Sequence, residues 1–143
     1  MAKADFAAVS RELDALESEI EPLRVSVDEG EDVFTKAPTA RETAYHHLAA
    51  ALGHAIGSAR SLIDEADWDE PEDDLDAIEI LVEEDVVPGR IGADIIDLAE
   101  FATQDGGEEP WEGDGLYDRM THGVETLSEY LEYVHLFLKE WAD

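Results

Sequence analysis

Apolar residues recur along this chain in steps of three and four, the spacing of one face of an α-helix. The first run starts near Asp5 and sets Phe6, Val9, Leu13, Leu16, Ile20, Leu23 and Val27 at alternating steps of three and four, a heptad seam. Pro22 falls inside that run and removes a backbone donor, so the helix is expected either to kink there or to end near Glu21. Residues 26–38 read as a polar connection containing Gly30. Then comes the longest run. Thr39 and Glu42 have capping-box spacing, and Tyr45, Leu48, Leu52, Ala55, Ile56, Ala59, Leu62, Ile63 and Ala66 mark one face of an uninterrupted helix. Its middle is small, with Ala49, Ala50, Ala51, Gly53, Ala55, Gly57, Ser58 and Ala59. Each glycine costs up to about 1 kcal/mol of helix propensity, so close packing against neighbouring helices is expected to recover the loss.

The next apolar positions are Leu75, Ile78, Leu81 and Val82, in a helix capped near Asp73 and broken at Val86-Val87-Pro88-Gly89. A shorter helix carries Ile91, Ile95, Leu98 and Ala99 on one face. Residues 103–115 read as a glycine-rich loop, and Asp114 is the expected cap of a last helix. That helix has the seam Met120, Val124, Leu127, Leu131, Val134, Leu138 and Trp141, widened by Tyr130, Tyr133 and Phe137. A stripe of about 160° is wider than the roughly 100° that one neighbour covers, which predicts burial on two sides or at a subunit interface. No segment alternates with period two, so the fold class is all-α, as a single helical domain over residues 1–143.

Charge changes the picture most. The chain has 38 Asp and Glu against 9 Lys and Arg, a formal charge of −29, and no asparagine. With 44% apolar residues in periodic order, disorder is a poor explanation of that acidity. The composition points to a halophile's cytoplasmic protein, since about 1 M salt shortens the Debye length to about 3 Å and removes most of the self-repulsion. The absence of cysteine excludes disulfides and thiolate chemistry. No signal peptide is read at the N-terminus, and no apolar run is long enough to span a membrane.

The candidate chemistry is sparse. His47 and His54 lie two helical turns apart, about 10 Å, too far to share a metal ion. They read as polar residues flanking an apolar face, and the isolated His122 and His135 read likewise. Asp67-Trp68-Asp69 begins like a calcium loop but has Glu72 where the turn needs glycine. No metal site and no cofactor site is therefore expected. The arginines are scattered, with no basic stripe for nucleic acid.

The order of elements from about residue 40 to residue 141 resembles the HepT-like HEPN family, the higher eukaryote and prokaryote nucleotide-binding domain. The resemblance rests on Ala44 to Ile63, on the acidic third helix from Pro71 to Pro88 (Glu72-Asp73-Asp74-Leu75-Asp76-Ala77-Ile78-Glu79-Ile80-Leu81, ending Val86-Val87-Pro88), and on the short helix ending at Phe101. It implies an antiparallel four- to five-helix bundle that forms a homodimer. It also implies a minimal nucleotidyltransferase as antitoxin partner, with the HEPN member acting as a metal-independent ribonuclease toxin.

The family's catalytic motif, Phe-Arg-Asn-x-x-x-His-x-Tyr, follows the short helix. Counting from Phe101 puts Ala102 at the arginine, Gly107 at the histidine and Glu109 at the tyrosine. A ribonuclease needs a group to move the proton and a cation to hold the phosphate charge, and these residues supply neither. Arg41 and His46 have the motif's arginine–histidine spacing, but on the central helix about 140° apart around its axis. Three readings follow. The first is a catalytically degenerate HEPN scaffold that binds a nucleotidyltransferase and no RNA. The second is an active ribonuclease with a relocated site, for which Arg119, His122 and Tyr117 are the clustered candidates. The third is a stand-alone acidic interaction module.

The acidity carries its own test. Circular dichroism across a salt series is expected to show loss of helicity below about 0.2 M salt, where the Debye length exceeds ~7 Å. A helical signal that stays flat down to millimolar salt would contradict the halophilic reading.

Overall fold

In the computed structural model, which describes residues 6–102 and 116–142, the chain folds into helices alone, and no strand occurs among the described residues. They are α1 (Ala7–Glu29), α2 (Glu31–Lys36), α3 (Pro38–Ala66), α4 (Asp74–Glu83), α5 (Gly89–Ala102) and α6 (Leu116–Ala142). Five of these have ten residues or more, and α2 is a short addition. The expected helix start near Asp5 and the expected cap Asp114 lie outside the described residues.

Helix α3 is the centre of the bundle, in contact with every other helix. Its small residues do what close packing needs: Ala51, Ala55, Ser58 and Ala59 are fully buried. The two glycines differ. A methyl group at Gly57 would come within 2.5 Å of the Glu12 carboxylate of α1, whereas Gly53 faces open space and has no packing reason. The capping box at Thr39 is not formed. Pro38, with its φ already set for helix, takes the first position and leaves Ala37 as a cap without a side-chain bond.

Tertiary structure decides between the two readings of Pro22 and changes that of residues 26–38. Helix α1 continues through Pro22 to Glu29, because Leu23 beyond the proline is fully buried and Val27 packs against the core, extending the seam. The hydroxyl of Tyr117 on α6 donates to the Val27 carbonyl at 2.9 Å, occupying an acceptor in the last turn. Gly30, at φ 95° and ψ 159°, then breaks the helix in a conformation that only glycine adopts readily. The expected polar connection contains α2, with Glu31 and Asp32 in its first turn and Lys36 in its last, the charge order that a helix dipole favours. Phe34 on α2 is buried, its ring 5.6 Å from that of Tyr117.

Helix α6 explains its wide apolar stripe within one chain: α1, α3 and α5 all pack on it. Tyr130, expected at the edge of that stripe, is fully buried. Its hydroxyl lies 3.0 Å from the Ala55 carbonyl and 2.7 Å from Ser58 Oγ, so the one buried phenol is satisfied by α3. Burial pushes the phenol far above its usual range, an effect that the Ser58 hydrogen bond only partly offsets. At the far end of the bundle Phe6, Trp68, Phe137 and Trp141 form an aromatic cluster with ring centroids 5.5–6.2 Å apart.

Helices α3 and α4 end alike. Trp68 N–H reaches the Ile63 carbonyl and Asp67 N–H the Asp64 carbonyl; Val86 N–H reaches Leu81 and Asp85 N–H reaches Val82. Both are Schellman closures, and the left-handed residue is aspartate in each, Asp67 at φ 59° and Asp85 at φ 61°. At the start of α4 the expected cap is present, with Asp73 Oδ1 accepting from Asp76 N–H at 2.8 Å.

Aspartate costs energy in the left-handed region and places negative charge at the negative end of the helix dipole. Asp67→Gly and Asp85→Gly are therefore each expected to stabilise by about 0.5–1 kcal/mol, additively, raising the midpoint of thermal unfolding by a few degrees. A lower midpoint in either variant would show that the aspartate side chain itself contributes to the fold.

Candidate functional site

The place that corresponds to the family's motif begins at the end of α5. Phe101 is half-buried against the core, and the Ala102 carbonyl accepts a short hydrogen bond from the Tyr45 hydroxyl of α3. Gly107 and Glu109, and the whole segment 103–115, lie outside the described residues.

Of the three candidates on α6, the structure brings two together. Arg119 and His122 are one turn apart and face Asp97 and Asp94, which are one turn apart on α5. Arg119 Nη1 lies 3.0 Å from Asp97 Oδ2, and His122 Nε2 lies 3.2 Å from Asp94 Oδ2. The chain numbers rise on one helix as they fall on the other, so these are successive rungs of an antiparallel ladder. A third rung reverses the charges, with Arg90 Nη1 of α5 2.8 Å from Glu129 Oε2 of α6. That hydrogen bond raises the Arg90 pKa above its already high ordinary value. Tyr117 is not part of the group. Its ring packs on Phe34 and its hydroxyl is bound to the Val27 carbonyl, on the α1 side of the helix.

The Arg119 guanidinium also stacks on Phe101, 4.5 Å from the ring centroid. Beside it is a cleft of about 350 Å³ lined by Asp97, Glu100, Phe101 and Arg119. Two carboxylates share that cleft with one guanidinium, and the guanidinium is already paired. A phosphodiester entering it would have to displace Asp97 from Arg119 before that guanidinium could hold it.

Several other cations join one helix to another. Arg24 of α1 bonds Ser128 of α6 at 2.8 Å, and Arg60 of α3 bonds Asp74 of α4 at 2.8 Å. Two histidines tie α3 to α1: His47 Nδ1 lies 2.6 Å from Glu19 and His54 Nδ1 lies 3.1 Å from Glu12. The two pairs stand seven residues apart along each helix, again in antiparallel register. His46 faces Glu42 on its own helix at 3.8 Å. His135 borders a groove between α1 and α6 with Glu17, Arg24 and Glu132. Among the described residues no group of three or more His, Asp or Glu is placed to hold a metal ion, and no helix is long and apolar enough to cross a membrane. Asp67, first residue of the calcium-like stretch, is the left-handed closure of α3.

The α5–α6 ladder had a sequence signal in the paired spacings Asp94/Asp97 and Arg119/His122. Only the antiparallel register of the two helices turns that spacing into contacts.

No protein-family model matches the chain, and no curated protein sequence does. Solved structures do. A toxin–antitoxin complex with AMP-PNP aligns at TM-score 0.79 and 10% identity, covering 90% of this chain and 98% of the other. The tri-AMPylated HEPN toxin of Shewanella oneidensis, in complex with its MNT antitoxin, aligns at TM-score 0.79 and 12% identity, covering 91% of this chain and 98% of that one. YutE of Bacillus subtilis, a cytosolic protein of unknown function, aligns at TM-score 0.77 and 17% identity, covering 98% of this chain and 94% of that one. Likeness at such low identity bears on architecture, and on architecture it is decisive: this chain has the all-α, HepT-like HEPN fold.

Proposed function

We propose that this chain is a catalytically silent HEPN-type bundle that acts by binding a protein partner, a minimal nucleotidyltransferase of the toxin–antitoxin kind, in a high-salt cytoplasm. The observation that carries the silent half is the pairing of Arg119 with Asp97 at 3.0 Å. Ala102 and Gly107 already lack the chemistry of the motif positions that they hold. Arg119, the cation nearest to replacing them, is committed to a carboxylate and an aromatic ring. His122 is likewise committed to Asp94.

The partner half is supported by the similar structures, one of which is a HEPN toxin in complex with an MNT antitoxin. That toxin is also tri-AMPylated, but docking explains this chain better than modification does. Glu109 at the motif's tyrosine place has no hydroxyl, the hydroxyls of Tyr45, Tyr117 and Tyr130 are bound to backbone carbonyls, and Tyr133 lies beside Arg90 at the start of α5, the end opposite Phe101. We place the protein as a homodimer in which the exposed Val25 and Leu136 are apolar side chains available for burial.

The expected result with total RNA and defined oligonucleotides in about 2 M salt is neither cleavage nor retention, for wild type and for His122→Ala alike. Cleavage by wild type that disappears in His122→Ala would overturn this reading and make Arg119 and His122 a relocated catalytic pair.

A further inference from the structure

We draw no further inference here: the strongest candidate, the small-residue face of α3 around the exposed Gly53, where Ala49 and Ile56 are only partly buried, is an unpartnered surface, and nothing in the structure shows what covers it.

Discussion

Nine lysines and arginines face thirty-eight acidic residues in this chain, and the described pairs of arginine and histidine mostly join one helix to another. Arg24 links α1 to α6, Arg60 links α3 to α4, and Arg90 and Arg119 link α5 to α6. His47 and His54 face α1 carboxylates and His122 faces one on α5. Each exposed pair is worth little alone, on the order of 0–1 kcal/mol. Their placement matters more than their strength. The charge reversal between the Arg119–Asp97 and Arg90–Glu129 rungs fixes the register of α5 on α6, since a slipped arrangement puts like charges together. Those four arginines are engaged within the fold.

Much of the architecture was legible in the apolar spacing. The seams of α1, α3, α4, α5 and α6 are what a period near 3.6 requires, and α3 is central because its small residues let the other helices approach. What was not legible has physical reasons. Helix α2 is six residues long with one buried anchor, Phe34, too short for periodicity to register. Pro22 reads as a kink or a stop, and the helix goes on because a buried Leu23 outweighs one lost backbone bond. Thr39 has the chemistry of a cap but stands one residue after the proline that starts the helix. Asp67 and Asp85 carry no turn signal of the usual kind, because left-handed closures are ordinarily marked by glycine or asparagine and this chain has no asparagine.

The proposed loss of catalytic chemistry rests on the sequence alone. Ala102, Gly107 and Glu109 in place of arginine, histidine and tyrosine could be read by counting from Phe101. Of Arg119, His122 and Tyr117, grouped from proximity in sequence, the first two face α5 and the third does not. Tyr117 departs because its position on α6 turns it toward α1 and Phe34, while Arg119 and His122 turn toward α5. Their carboxylate partners come from twenty or more residues earlier in the chain, a relation that only the fold supplies.

The central claim is that Arg119, the arginine stacked on Phe101, is part of the fold and not of a binding site. Arginine side-chain N–H signals, followed by NMR while a short RNA oligonucleotide is added in high salt, test it directly. The account predicts that the Nε–H resonance of Arg119 stays where it is, held by Asp97 and Phe101, through the whole titration. A saturable shift of Arg119 together with His122 would contradict it, because it would mean that the RNA phosphate displaces the carboxylates of α5.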